Sequence, residues 1–327
     1  MQHPDAAMQP VVRVFHNPTA GGGDWPTARL MALLAAEGIQ ATGWQSTKAD
    51  GLDDAVAATT GPLIIAGGDG TVAKVLARLP DRRLPVAILP TGSANNIAGA
   101  LGARLPAAPG DLRRWLLAGD TRPFHAGRVR LGSNPPIPYF ESIGAGATIT
   151  AMEMQPPRPL HGIAKITFGR AALAQALASA PPLSCDIAID GLHRRARAIA
   201  LELPCLPWTG PGLWLGPEIR PDDRRAVAAL IGPADRDAAI AWLAAPGTPR
   251  RETMAAPPLS PWIGDMIMVT GLHGPLRIDD DRLTDDAAGA RLVVDRDPQP
   301  FRIVVDPMRQ PVRGRLPDPP PAARDSS

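Results

Sequence analysis

An α/β domain built on a doubly wound parallel sheet, followed by a mainly β domain, is the fold class this 327-residue sequence predicts. Three observations lead there. From Val11 to about His125, short apolar runs alternate with helically spaced apolar residues, the pattern of a parallel sheet flanked by helices. After Pro123 helical spacing thins out and short strands dominate. The length exceeds one ordinary core and suits two domains.

In the first part, Val11–His16 is a β-branched run and Trp25–Glu37 has helical spacing. Ile39–Ser46 reads as a strand and Asp50–Ala58 as a helix. Leu63–Ala66 is a buried strand, followed by glycines and a helix over Thr71–Leu79. Val86–Leu89 repeats the unit, with a helix from about Asn95. In the second part, Gly127–Leu131 and Tyr139–Ser142 read as strands. Cys185–Ile189 and Ala196–Leu203 flank Asp190-Gly191, a hairpin-turn dipeptide. Helical segments fall at Ile163–Ala178 and Ala234–Leu243. Further strands are expected at Met266–Thr270, Pro275–Ile278, Ala290–Val294 and Phe301–Val305. The expected division is a flexible start over 1–10, an α/β domain over 11–125, a β sandwich or open barrel over 126–313, and a disordered Pro-rich tail over 314–327.

Apolar residues make up 45% of the chain and charged residues 20%, an ordinary globular balance. Aromatics are only 4%, so Ala, Val, Leu and Ile must fill the core. A net charge of +2 carries no electrostatic footprint for nucleic acid, and none is expected as a partner. The paired arginines, such as Arg194-Arg195 and Arg224-Arg225, read as solvated surface or as contacts for anionic lipid headgroups. Cys185 and Cys205 lie in apolar sequence and read as buried free thiols. Met1–Pro10 lacks the pattern of a signal peptide, and no run of about 18 apolar residues occurs. The expected location is therefore cytoplasmic, with peripheral contact at the inner membrane; a homodimer is compatible with the sequence.

Three turns follow strand ends in the first domain: Asn17-Pro18-Thr19-Ala20-Gly21, Gly67-Gly68-Asp69-Gly70-Thr71, and Pro90-Thr91-Gly92-Ser93-Ala94-Asn95-Asn96. Glycines let backbone approach a bulky anion. A following helix offers free N–H groups and the positive end of its dipole. Thr71 can cap its helix and offer a hydroxyl, and Asp69 can reach Mg²⁺ or a reacting hydroxyl. Gly92 permits close approach, Ser93 supplies a hydroxyl, and Asn95 can bind a nucleobase, ribose or phosphate. Each turn alone could equally be a tight connection, with Asp69 a surface residue and Ser93 or Asn95 a helix cap. Three on successive strand ends of one sheet point to a nucleotide site. No Gly-x-x-x-x-Gly-Lys-Ser/Thr loop and no Gly-x-Gly-x-x-Gly fingerprint occurs. The histidines show no zinc-ligand spacing, and no Gly-x-Ser-x-Gly elbow is present.

The three turns, in this order, resemble the signatures of the diacylglycerol kinase catalytic family, which includes sphingosine kinases and is distantly related to NAD kinases. Gly210 to Pro217 and the turn from Pro217 to Asp223 extend the resemblance into the second domain. It implies a Rossmann-like nucleotide domain, a β-sandwich lipid domain, and an active site in the cleft between them. Mg-ATP would contact Asn17, Thr47, Gly67, Gly68, Asp69, Gly70, Thr71, Gly92, Ser93 and Asn95. The family's acidic Asp-Gly-Glu would fall at Asp279-Asp280-Asp281, with Asp281 or Asp279 as general base; Asp306-Pro307-Met308 is a rival placement. Asp69 would hold Mg²⁺, and Asp223 a second metal. The chain departs from the pattern at Ala73-Lys74, Asn96, His125, Asp280 and Arg224. The activity implied is transfer of the γ-phosphoryl group of ATP to a lipid hydroxyl. The alternatives are a kinase of a soluble acceptor such as NAD, and a non-catalytic nucleotide-binding regulator. Trp208 and Trp214 read as core or as a membrane-interface anchor.

Overall fold

The computed structural model describes residues 9–216, 219–245, 257–283, 289 and 291–306. The predicted flexible start lies outside the described residues up to position 8, as does the predicted Pro-rich tail.

The first domain opens with β1 (Val11–His16), α1 (Thr27–Ala36), β2 (Gln40–Ser46) and α2 (Leu52–Ala57). It continues with β3 (Leu63–Gly67), α3 (Asp69–Leu76), β4 (Pro85–Pro90), α4 (Asn96–Leu101), α5 (Asp111–Ala118) and β5 (Thr121–Phe124). Strands β2, β1, β3 and β4 are parallel neighbours in that order. Alternate strand residues face opposite layers, as the pleat demands. Val12, Val14, Ile64, Ala66 and Leu89 pack on one side with Leu30 and Leu34 of α1 and Trp115 of α5. Phe15, Leu63, Ile65 and Ile88 pack on the other with Val56 of α2 and Val72, Val75 and Leu76 of α3. The sheet is thus covered on both faces, and β3 is buried along its whole length.

The second part comprises β6 (Gly127–Leu131), β7 (Ile137–Tyr139), β8 (Ser142–Gly146), α6 (Ala147–Glu153), α7 (Gly162–Ser179), β9 (Leu183–Ile189), β10 (Leu192–Ala198), β11 (Ala200–Pro204) and β12 (Ala226–Ile231). After these come α8 (Arg236–Ala244), β13 (Ser260–Gly264), β14 (Ile267–Thr270), β15 (Leu276–Ile278), β16 (Asp281–Leu283), β17 (Leu292–Arg296) and β18 (Phe301–Val304). Two antiparallel sheets form, in the orders β10-β9-β14-β17-β6-β7 and β13-β12-β11-β8-β15-β16. Their inner faces share one core, and α6, α7 and α8 pack around Ala200 and Ile231 of the second sheet and the adjoining Ile199. Cys185 and Cys205 are buried free thiols, their pKa raised by burial to about 11 and about 12. No helix among the described residues is long and apolar enough to cross a membrane.

Four local differences from the sequence reading matter for the site. The helix expected from Thr71 begins at Asp69, which places Asp69 in its first turn. The run Tyr139–Ser142 is not one strand. It is the crossing from β7 in one sheet to β8 in the other, with Phe140 and Glu141 between them. Ala196–Leu203 breaks in the same way at Ile199, between β10 and β11, and the Asp190-Gly191 hairpin therefore pairs β9 with a strand starting at Leu192. Apolar pattern continues through such crossings because both sheets bury their inner faces in the same core. Finally, β18 runs parallel to β4 and antiparallel to β5, so it completes the first sheet rather than the second domain's sheets. The rings of Phe124, Phe140 and Phe301, with centroids 5.9–6.4 Å apart, join the two parts there.

Candidate active site

The three glycine turns converge at the carboxyl ends of β1, β3 and β4. A Cβ built on Gly92 would lie 2.3 Å from Gly68 Cα, and one on Gly21 would lie 2.4 Å from the Thr91 carbonyl oxygen. Backbone therefore meets backbone, and only glycine fits at Gly92 and Gly21. The Thr71 side chain lies over Gly67, where a Cβ would fall within 2.4–2.6 Å of it. Asn17 Nδ2 donates to Thr71 Oγ1 at 3.2 Å, tying the first turn to the second. Asn17 Oδ1 accepts from the N–H and hydroxyl of Thr19. In the third turn Asn95 is left-handed (φ 52°), and its amide bonds both the N–H and the C=O of Gly92 at 2.9 Å. Its side chain thus shapes the turn. Ser93 Oγ accepts from the Gly162 N–H at 3.0 Å, so the start of α7 rests on this turn, while the His161 ring packs against Gly22.

Thr47 is buried at the end of β2. It lines an open groove of ≈ 520 Å³ together with Lys48, Gly51, Asp53, Lys74 and Arg78. Lys74, a departure noted in the sequence, therefore faces a cavity beside the second turn.

Asp69 Oδ1 accepts the Ile97 N–H at 2.8 Å, capping α4 from the neighbouring turn. Opposite it stands the acidic stretch of the second domain. Asp279 and Asp280 form the hairpin turn between β15 and β16. Asp279 has φ 51° and accepts the N–H groups of Phe140, Glu141 and Ser142 at 2.7–3.2 Å. Burial raises its pKa to about 6 despite these bonds. Arg277 donates to the Asp279 carbonyl at 2.8 Å, to Ser142 Oγ at 3.0 Å, and to both oxygens of buried Glu202 at 2.7 and 2.8 Å. Asp279 is thus an anchor whose carboxylate organises the β7–β8 crossing. Asp280 is the member aimed at the glycine turns: a Cβ on Gly70 would lie 3.8 Å from Asp280 Oδ2. Asp281 is exposed at the start of β16, paired across the hairpin with Ile278.

Glu141 was not singled out by the sequence reading. It is half-buried between the two parts, and burial of its carboxyl first, then the charges of Asp69, Asp280 and Asp279, raise its pKa well above the ordinary carboxylate value. Its Oε2 accepts the Gly210 N–H at 2.7 Å and Asn96 Nδ2 at 3.2 Å. A lone carboxylate inside Tyr139-Phe140-Glu141-Ser142-Ile143 is the available signal, and the strand pattern over Tyr139–Ser142 hides it.

Other expected residues stand apart. Asp223 is paired with Arg225 through Nε and Nη2 and accepts the Arg225 N–H; burial raises its pKa, but the arginine bonds outweigh this and the net shift is downward. Asp306 pairs with Arg104 at 2.7 Å beyond β18; Pro307 and Met308 lie outside the described residues, as does Pro217. His125 is buried against the Asp297 carbonyl. Trp208 is buried and stacked on Trp214, centroids 5.6 Å apart, in the core. Among the described residues no group of three or more His, Cys, Asp or Glu side chains is placed to hold a metal ion alone.

A doubly wound sheet whose glycine turns converge on two helix starts, faced by carboxylates from a β domain, is an arrangement suited to binding the phosphates of a nucleotide. Residues 11–129 match the family described as diacylglycerol kinase catalytic domain. A search of curated proteins returned no match. Among solved structures, a provisionally named diacylglycerol kinase from Bacillus anthracis str. Sterne is 17% identical, with TM-score 0.68, covering 94% of this chain and 99% of that one. A second structure, of a diacylglycerol kinase from the same strain, is 17% identical with TM-score 0.64, covering 93% and 99%. An NAD kinase from Archaeoglobus fulgidus in complex with ATP is 14% identical with TM-score 0.54, covering 92% and 94%. These likenesses establish the shared fold, parallel-sheet domain and β-rich domain together.

Proposed function

We propose that this protein is an ATP-dependent lipid kinase. The observation that carries the reading is the Asp280 carboxylate, delivered from the second domain to the Gly70 turn that receives the phosphates. ATP supplies the γ-phosphoryl group, and Mg²⁺ would supply charge neutralisation at its phosphates. The backbone at Gly21, Gly68 and Gly92 admits the phosphate chain, with Thr71 and Ser93 beside it. The groove at Thr47 and Lys74 takes the nucleoside end. Asp69 would hold Mg²⁺. The proton of the acceptor hydroxyl passes to a carboxylate of the Asp279–Asp281 stretch, and geometry favours Asp280, because Asp279 serves the backbone and Asp280, exposed like Asp281, is the one whose Oδ2 faces the Gly70 turn. The second metal assigned to Asp223 gains no support, since Arg225 occupies that carboxylate.

The family description supports a lipid acceptor. The accessible edge strand β10, with Arg194, Arg195 and Arg197 beside exposed Leu192, suits transient contact with an anionic bilayer. Fold likeness to the ATP-bound NAD kinase keeps a soluble dinucleotide acceptor as the second reading.

The test uses γ-labelled ATP, Mg²⁺ and either a total lipid extract in mixed micelles or NAD. Wild type should label a lipid. Asp69→Asn keeps an acceptor for the Ile97 N–H and should abolish transfer; Asp280→Asn should do the same while Asp281→Asn stays active. Label in NAD alone would move the assignment to the second reading. ATP binding without any transfer would leave a nucleotide-binding regulator.

A further inference from the structure

We propose that Glu141 is a positioning residue that latches the two domains at the reacting centre and thereby sets how Asp280 faces the nucleotide turns. Its carboxyl, the Asn96 amide and the Gly210 peptide form a closed set. Glu141 Oε2 accepts from Gly210 N–H at 2.7 Å and from Asn96 Nδ2 at 3.2 Å, and Asn96 Nδ2 donates to the Gly210 carbonyl at 2.8 Å. Asn96 is fully buried in the first turn of α4, in the nucleotide domain. Glu141 sits on the β7–β8 crossing and Gly210 in the turn bridged between Thr209 and Leu213, both in the second domain. The N–H of Glu141 itself is bound by Asp279, the residue preceding Asp280, at 2.7 Å. One residue therefore connects the third glycine turn, the Gly210 turn and the acidic hairpin.

The charges around it decide its protonation. Asp69 of α3 and Asp279 and Asp280 of the hairpin face it, with Arg277 of β15 and Cys205 following β11 also within electrostatic range. Three acids and burial favour the proton-bearing carboxyl, which can bond without adding a fourth negative charge. A carboxyl with a raised folded-state pKa contributes to the closed arrangement in acid and loses that contribution as pH rises through the folded value. Gln has the same shape, keeps the acceptor and cannot ionise.

The inference rests on the phosphoryl-transfer reading for its kinetic readout alone; a distance measurement tests it separately. Nitroxides at Met31→Cys and Leu192→Cys, exposed positions on α1 and β10, report the domain separation, the native cysteines being buried. Glu141→Ala and Asn96→Ala should broaden the distance distribution, and Glu141→Gln should keep the wild-type one. In the kinase assay Glu141→Ala should lower kcat about 100-fold with KM for ATP little changed, the size expected for a 1 Å misplacement. Glu141→Gln should restore kcat. An unchanged distribution in Glu141→Ala would overturn the proposal. So would a Glu141→Gln variant as impaired as Glu141→Ala, which would show that the ionised carboxylate is required. If wild type transfers no phosphoryl group, the kinase reading fails while the distance distributions still decide the latch.

Discussion

Gly92→Ala probes the convergence of the turns at its tightest point. The added Cβ would stand 2.3 Å from Gly68 Cα, 2.9 Å from Asn95 Oδ1 and 3.0 Å from Gly68 N. Carbon atoms in contact sit about 3.5–4.0 Å apart, so the second and third turns must separate by about 1.2 Å or more. Neither neighbour is the end of a flexible chain: Gly68 offers backbone, and Asn95 is bonded to both sides of the Gly92 residue. A displacement of that size at a reacting centre costs about 100-fold in rate, or about 2.7 kcal/mol of transition-state stabilisation. The strain itself should cost about 1–3 kcal/mol of folding stability. Initial rates against ATP concentration, with urea unfolding of the same protein, separate the two effects. Gly61→Ala is the control: its Cβ meets nothing within 4 Å and its φ is not left-handed. It should leave the rate unchanged and add about 0.4–1 kcal/mol of stability through the unfolded chain. Wild-type kcat/KM in Gly92→Ala would refute the argument that these turns form one cradle.

Three further outcomes follow from packing and charge. Glu202→Ala strands the buried Arg277 guanidinium and should cost about 3–5 kcal/mol in urea unfolding, whereas replacing both residues with Met should recover most of that loss but not the kinase rate, because the Asp279 carbonyl has lost its clamp. Equal destabilisation in single and double variants would contradict this. Phe301→Ala removes a fully buried ring from the Phe124–Phe140–Phe301 junction and should cost about 3–5 kcal/mol, read by the same unfolding experiment; a loss well below that range would mean that β18 does not help hold the two parts together. Asp279 should titrate about 6 in carboxyl ¹³C NMR against an unfolded value of 3.8. Its folded state is the better proton binder, so the linked stability is complete below pH 3.8, falls as pH rises through about 6, and is about 3 kcal/mol smaller at neutral pH. Titration at or below the unfolded value would show that its four backbone hydrogen bonds outweigh burial.

Local physics made the nucleotide half readable from sequence. Each β1, β3 and β4 run is short, apolar and closed by a glycine turn, and Leu30/Leu34 and Val72/Val75/Leu76 repeat at helical spacing. Such signals depend on neighbours along the chain, so the parallel sheet, its two covered faces and the three turns were legible before any coordinates. Choosing among Asp279, Asp280 and Asp281 was not, because a two-residue hairpin sends consecutive side chains in different directions. The backbone of Phe140, Glu141 and Ser142 claims the first, while the second and third are both exposed and only the second faces the Gly70 turn. Glu141 was hidden for a related reason: Tyr139–Ser142 reads as one strand, although it is the crossing between two sheets that share an inner face. Strand β18 returns to the first sheet across most of the chain length, and apolar alternation alone names no partner strand. Composition and periodicity thus determined which segments bury backbone and where phosphate could approach. Only the tertiary structure decided which carboxylates meet across the cleft, because that depends on contacts between residues far apart in sequence and on the desolvation those contacts create.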